Sequence, residues 1–544
     1  MYLTEIRLKR GHLFEDCESS KMSRVTIAII FCILWSAPVD SARILGVFSM
    51  PSISHQVVFR ALTFELAKRG HELVVMTPNP ALPKERPPDN ITEIDTSESY
   101  QVLLNMMKES EGKKLLKRGV IADISSMSME DYIEVMTSLV LYQFELPVVK
   151  HFLEDKTQKF DLVIVEAILN YPLIVGKIFN TPVIQFSSFY GSSENYDMIG
   201  APAWHPLYYP NTYRSKHGEL SLWEKIHEIH TEWKLYRMNK RVEDLENNLL
   251  KKNYGANTPT VADLQKSVEI LFLNAHPVIG GNRPVPPNVI YLGGLHLQPV
   301  KELPQDLKSY LDSSKTGVIY VSLGTNVRPS MMAPDFLEAF LDAFKAIPYD
   351  ILWKFDGDQL DNVPKNVRMQ KWFPQRDLLM HPNVKLFVMQ GGLQSTDEAI
   401  EAAMPLVGIP ILGDQWYNVN KYVELGVGVH VDAETMTAAD LVNAVNKVLS
   451  DDSYRQNMKR LRSIIHDQPQ APLERAVWWT EHLLRHGGGH LRAPAANKTW
   501  SEYYMVDVVA VVISFAITGL VITVGILYKI LNVLSTKKVK SKLS

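Results

Sequence analysis

Cysteine is nearly absent: 544 residues contain two, Cys17 and Cys32. Both lie in the first 42 positions, so the rest of the chain has no thiol for a disulfide staple or a thiolate metal site. Charge of one sign is also lacking. Lys and Arg total 57, Asp and Glu 60, and the net charge of −3 gives no long-range field for nucleic acid. No short repeat is visible. Apolar and charged fractions are ordinary, and the length suits two or three domains with large cores.

Long apolar runs are equally scarce, and the two that exist bracket the chain. Residues 25–37 are uncharged, follow Lys21 and Arg24, and precede the small residues Ser41 and Ala42. That is a secretory signal pattern, too short to span a bilayer. Glu5, Glu15, Asp16 and Glu18 sit badly in a signal's basic leader. Two readings stay open: a working start at Met22 behind a 21-residue extension, or a signal with a long leader. Residues 508–528 are also free of charge. As a helix they rise about 31 Å, enough for a membrane core. Lys529, Lys537, Lys538, Lys540 and Lys542 follow. Basic residues favour the cytosolic side, which predicts a lumenal body and a cytosolic tail (529–544). The final Lys540-Ser-Lys542-Leu-Ser reads equally as an endoplasmic reticulum retrieval signal or as a basic membrane-facing tail. The triplets at Asn90 and Asn497 are glycosylation sequons, which fit a lumenal body.

Between these runs, apolar segments alternate with helical ones, the pattern of a doubly wound α/β sheet, and they do so twice. Strands are expected at 43–48, 73–77, 162–165, 183–186 and 270–273, then at 318–322, 351–355, 367–369, 384–389 and 406–409. These are short, continuous and rich in Val and Ile, as buried parallel strands are. Helices are expected at 56–69 and 132–153 in the first half. In the second they are expected at 336–346, 394–403, 418–425, 438–449, 454–465 and 473–486. The domains so defined are 43–282 and 316–486, with a Pro- and Gly-rich linker at 283–315 and a flexible stalk at 487–507. Two such halves leave a cleft between the C-terminal ends of their sheets, where ligands bind.

The most informative stretch runs from Trp372 to Gln415. Trp372 offers an indole face for a base, and Gln375 polar contacts to base or ribose. Gln390, Gly391 and Gly392 follow an apolar strand and open a helix with Ser395 near its start. Glycines admit a diphosphate close to the backbone, and the helix N-terminus attracts it. Glu398, inside that helix, can reach ribose hydroxyls. Asp414 and Gln415, after the next strand, suit the hydroxyls of a sugar. Ser322 ends the opening strand of the same half, and Gly324 and Thr325 follow it. Each residue alone has a bland explanation as core, cap or turn; the set in this order reads as a nucleotide-sugar site.

His55 follows the first strand at the start of a helix, and its position alone leaves a catalytic and a structural role equally open. Asp356-Gly-Asp358 has the spacing of a metal-binding acidic pair but reads as a turn, and no metal is expected. Phe189, Tyr190, Trp204, Tyr208 and Tyr209 make an aromatic-rich stretch that suits a lipophilic small molecule.

The stretch 372–415 resembles the signature of the membrane-bound animal UDP-glycosyltransferases, the insect branch in particular. The likeness extends through Ser322-Leu-Gly-Thr325, Pro287-Asn-Val-Ile-Tyr-Leu-Gly-Gly294, Arg475-Ala-Val-Trp-Trp479, the signal and the C-terminal anchor. It implies a GT-B fold, two Rossmann-like domains facing a cleft, with a UDP-sugar donor and inversion at the anomeric carbon. Trp372 and Gln375 would then meet uridine and Glu398 the ribose. Ser322, Gly392 and Ser395 would lie at the diphosphate, and Asp414 and Gln415 at the sugar. The resemblance also places the catalytic base at His55 and its orienting acid at Glu166.

Two positions depart from the family's pattern. Gln390 replaces a histidine, so a charged donor to the diphosphate becomes a neutral one. Glu166 replaces an aspartate, adding a methylene. These departures keep a second reading in view, a catalytically silent binder of lipophilic ligands. The resemblance further implies glucose rather than glucuronic acid, a small hydroxylated lipophilic acceptor, no cofactor, contact with membrane lipid, and no nucleic-acid partner. An oligomer is possible, and the acceptor is not legible.

Overall fold

The structure is a computed structural model. It describes residues 41–81, 86–103, 105, 129–201, 205, 208–209, 212, 219–325 and 327–540. Residues 25–37, both cysteines, Trp204 and the last four residues lie outside it.

Two parallel sheets carry the fold. The first has seven strands: β1 (Arg43–Val47), β2 (Glu72–Thr77), β3 (Ile91–Asp95), β4 (Leu162–Glu166), β5 (Val183–Ser187), β6 (Val268–Leu273) and β7 (Val289–Tyr291), in the order β3-β2-β1-β4-β5-β6-β7. The second has six: β8 (Val318–Ser322), β9 (Asp350–Lys354), β10 (Val367–Gln370), β11 (Val384–Met389), β12 (Leu406–Gly408) and β13 (Gly428–His430), in the order β10-β9-β8-β11-β12-β13. In each sheet the order reverses beside the first strand, at β1/β4 and at β8/β11, and a crevice opens at such a point. The central strands are buried along their length because helices cover both faces. Both sheets belong to one contact unit, Arg43–Ser544.

Several features differ from the sequence reading. β3, β7 and β13 were not expected. β3 is an edge strand with one buried position, and β7 and β13 have three residues each, too few to show a pattern. β7 adds a strand inside the expected linker. The helix expected at 132–153 is two, Met129–Glu145 and Pro147–Glu154, because Pro147 holds Leu146 out of the helical region. A helix of 33 residues, Leu222–Tyr254, lies where none was read.

The C-terminal part returns to the first lobe. Helix Pro472–His486 packs on helix Ile53–Lys68. Glu474 pairs with Arg69 at 2.6 Å, and Glu481 lies 3.8 Å from the buried His71. The expected stalk is docked there too: Arg492 donates to the carbonyls of Lys266 and Val268, and Gly200 meets the backbone at Ala496 so closely that an added Cβ would lie 2.7 Å from its nitrogen. Helix Val506–Lys540 follows; its stretch Val506–Ser535 is long and apolar enough to cross a membrane, and none of it is buried in the protein.

Candidate active site

β1 ends in a loop, 48–52, that the next helix must leave at a set angle. Gln56 fixes that loop: its amide donates to the Met50 carbonyl at 2.9 Å and accepts from the Thr77 hydroxyl at 2.8 Å. His55 therefore sits in the first turn of Ile53–Lys68, facing the crevice at the β1/β4 reversal. Glu166 is the last residue of β4 and is buried. One carboxylate oxygen lies 2.8 Å from His55 Nδ1, and the other accepts from the Met50 backbone N–H at 2.8 Å. An ionised carboxylate only accepts, so it holds the proton on Nδ1 and leaves the Nε2 lone pair free. The added methylene of Glu166 spans the gap to both donors. Phe189 packs against the imidazole, ring centroids 5.5 Å apart.

The second lobe faces this pair across a cavity of about 2470 Å³, lined by His55, Phe189, Trp372, Gln390, Glu398 and Asp414 among others. Trp372 is 59% exposed and carries the Lys354 ammonium 4.5 Å from its ring centroid, which leaves the other indole face for a planar base. Gln375, Ser395 and Glu398 form one network. The Gln375 amide donates to Ser395 Oγ at 2.9 Å and to Glu398 Oε2 at 2.6 Å, and accepts from the Tyr320 hydroxyl at 3.2 Å. Burial pushes the Glu398 carboxyl above its ordinary pKa, against the Gln375 hydrogen bond. Its remaining acceptor positions are those a diol would fill.

Helix Leu393–Glu401 starts at Gly392 without a side-chain cap, so its first amides are open to an anion. Gly391 has φ +95° and packs against Gln415 and Val419, a conformation and a closeness that only glycine allows. Gln390 lies under Gly324, where an added Cβ would come within 2.1 Å of its amide nitrogen. Its amide oxygen is buried without a hydrogen-bond partner in the protein, a cost of about 1–3 kcal/mol. Thr325 and Gly324 also line the cavity. Ser322 and Gly391 do not; the Ser322 hydroxyl accepts from the Gly324 N–H at 3.3 Å and shapes the turn.

Asp414 accepts from Asn418 Nδ2 at 3.0 Å. Burial raises its carboxyl, opposed by that bond and by His55 across the cleft. The Gln415 amide oxygen is occupied by the N–H groups of Ile411 and Leu412 at 2.8 and 2.9 Å, so only its NH₂ is left for a ligand. Asn90 is less available than its sequon suggests. Its side-chain nitrogen, where a glycan would be attached, donates to the carbonyls of Ala67 and His71 at 2.8 and 2.6 Å. Asn497 lines the cavity. Asp356 accepts from Ser330 N at 3.0 Å and Asp358 pairs with Lys371, as turn residues do. Tyr190 and Tyr209 line the cavity, whereas Tyr208 is 69% exposed.

Sequence reasoning missed Lys354, Gln394 and Asn418. Lys354, the last residue of β9, donates to the Gly324 carbonyl at 2.7 Å, and burial lowers its pKa to about 8. A lysine ending a strand gives no signal of that. Gln394 and Asn418 tie the lobes: Gln394 donates to the Ser188 carbonyl at 2.9 Å, and Asn418 accepts from the Tyr190 hydroxyl at 2.8 Å.

The UDP-glucoronosyl and UDP-glucosyl transferase family matches residues 44–541. An ecdysteroid UDP-glucosyltransferase of Lymantria dispar multicapsid nuclear polyhedrosis virus is 43% identical over 495 residues, 90% of this chain and 96% of the viral one. UDP-glucosyltransferase 2 of Dactylopius coccus is 31% identical over 89% of this chain and 92% of its own. Among solved structures, the glycotransferase of kitacinnamycin superimposes with a TM-score of 0.55 at 18% identity, covering 82% of this chain and 99% of its own. A UDP-glucose: anthocyanidin 3-O-glucosyltransferase in complex with UDP gives 0.52 at 17% identity, over 81% and 98%. Those two likenesses establish the fold as GT-B. With the two sheets, the crevice and a family match over nearly the whole length, the chain belongs to the UDP-glucoronosyl and UDP-glucosyl transferases.

Proposed function

We propose that this enzyme transfers glucose from UDP-glucose to a hydroxyl of a small lipophilic acceptor, with inversion at the anomeric carbon. The observation that carries the reading is the 2.8 Å contact between His55 and Glu166, in a cavity shared with Trp372, Glu398 and Asp414. His55 Nε2 takes the acceptor's proton as its oxygen attacks C1 from the face opposite the diphosphate. The bond from C1 to the diphosphate oxygen breaks, and the charge left on UDP falls to the uncapped amides of Leu393–Glu401, Ser395 and Gln390. Glu166 stabilises the imidazolium so formed. Asp414 and Gln415 position the sugar, and Glu398 the ribose. The names of the viral relatives favour polyhydroxylated steroids as acceptors, and the aromatic and aliphatic cavity wall supplied by Phe189, Met198 and Tyr209 suits such a ring system. Helix Val506–Ser535 would anchor the body in the endoplasmic reticulum membrane, lumenal side, with the lysine-rich tail cytosolic.

The test is UDP release by the full chain in membranes, with UDP-glucose or UDP-glucuronic acid and a panel of hydroxylated steroids and phenolics. UDP-glucose and at least one acceptor should give turnover and a β-glucoside by NMR. Binding of UDP without turnover on any acceptor would leave the silent binder as the better reading.

Lys354 gives the donor side a pH signature. Below about 8 its ammonium is charged and attracts the diphosphate; above that it is neutral. kcat/KM for the donor should therefore fall as pH rises through this region, since it reports the free enzyme. Lys354→Met should remove that limb and lower kcat/KM at neutral pH about tenfold, the loss of one charge-assisted bond.

A further inference from the structure

Helix Leu222–Tyr254 shows an apolar face to solvent. Leu222, Ile226, Ile229, Trp233 and Tyr236 follow one another at four- and three-residue steps and so share one side. They are 69, 47, 55, 52 and 62% exposed, and the neighbouring Trp223 is 78% exposed. Glu224, Glu228 and Thr231, on the opposite side, are more covered. Over residues 222–236 the helix is amphipathic in the reverse sense of one that covers a core, whereas further on Leu250 is buried in the core of the first lobe. Lys225, Lys234 and Arg237 flank the stripe, and the Arg237 guanidinium lies 5.0 Å from the Trp233 ring centroid.

The stripe continues into the site. Ile229, Trp233 and Tyr236 line the same cavity as Phe189 and His55, and so do Tyr503 and Tyr504, which immediately precede helix Val506–Lys540. Tyr503, Tyr504 and Met505 are themselves more than half exposed. The apolar rim of the cavity thus runs from the stripe to the root of the anchoring helix.

We propose that the outer face of Leu222–Tyr254 rests in the headgroup layer of the membrane that Val506–Ser535 crosses, so that the acceptor side of the cavity opens at the bilayer surface. The proposal rests on the reading of that helix as a membrane span. Aromatic and aliphatic residues bordered by Lys and Arg are the composition of an interfacial helix. The root of the anchor lies at the membrane surface by construction, and it shares the cavity with the stripe. A second copy of the chain, which the heptad-like spacing would also suit, has no such tie on this face. A lipophilic acceptor dissolved in the bilayer would then reach His55 laterally, without first partitioning into water.

The test uses the full chain with both cysteines replaced by serine, reconstituted in phosphatidylcholine and phosphatidylserine vesicles that contain spin-labelled lipid. Ile226→Cys, which lies outside the cavity lining, is labelled with a polarity-sensitive fluorophore. Lys459→Cys, on an exposed helix of the second lobe, is the control. The label at 226 should shift to the blue and be quenched by the lipid, and the label at 459 should not. Leu222→Ser/Ile226→Ser should raise KM several-fold for an acceptor supplied in the vesicles and leave KM unchanged for a water-soluble one. An unquenched label at 226 in chain retained after alkaline carbonate would overturn the proposal alone, as would cross-linking of two copies through Ile226→Cys. Release of the chain by carbonate would overturn the span, and the proposal with it.

Discussion

His55→Ala should lower kcat by about 10²–10⁴-fold, the range of a general base removed from its proton, while UDP binds with unchanged affinity. The separation is expected because the imidazole touches Glu166 and Phe189 in the first lobe, whereas Trp372, Gln375 and Glu398, the proposed uridine platform, all lie in the second. Steady-state kinetics beside calorimetric titration with UDP decides it. Full activity in this variant would remove the assignment of His55. A double variant with Glu166→Ala should be hardly worse than His55→Ala alone, because residues that act as one unit are not additive.

The second large effect concerns Glu166. Its two oxygens serve two N–H donors, His55 Nδ1 and Met50 N, each at 2.8 Å. Glu166→Gln keeps the shape but has one acceptor, so either the Met50 N–H loses its partner or the imidazole adopts the tautomer with its proton on Nε2, which cannot act as a base. A loss of about 10³–10⁴-fold in kcat is expected, as when the carboxylate of a histidine triad is made an amide. Glu166→Asp keeps the charge and shortens the reach by about 1.5 Å, and a misplacement of that size costs on the order of 10²-fold. If Asp were as active as Glu, the spacing argument would fail. Near-unchanged circular dichroism and melting would show that both variants fold.

The central strands were legible because burial on both faces leaves a nearly continuous apolar run: β8 reads Val-Ile-Tyr-Val-Ser, and β11 reads Val-Lys-Leu-Phe-Val-Met with only Lys385 breaking it. Three of the four edge strands escaped, β3 for the converse reason. β3 reads Ile-Thr-Glu-Ile-Asp, and only one of its residues is buried. The helix Leu222–Tyr254 escaped because a stripe that faces outward says nothing about a core. In the site, the residue types and their order were legible, since each chemistry asks for a particular group at a strand's C-terminal end. What was not legible is which groups are already engaged. The Gln415 oxygen is consumed by its own turn, and Lys354 reaches across from a neighbouring strand to Gly324. Such contacts depend on strand order, which a linear pattern does not encode. Nor does amphipathic spacing say on which lobe Pro472–His486 rests.

That last helix has a mechanical consequence. The polypeptide passes between the lobes twice, once after β7 and once ahead of Pro472. Arg475 clasps both passages, donating to the Tyr291 carbonyl at 3.1 Å on one and to Gln468 at 2.7 Å and Gln470 at 3.2 Å on the other. Two ribbons tied by one guanidinium fix the register of the halves on this side, and in that register Asp414 lies within electrostatic reach of His55.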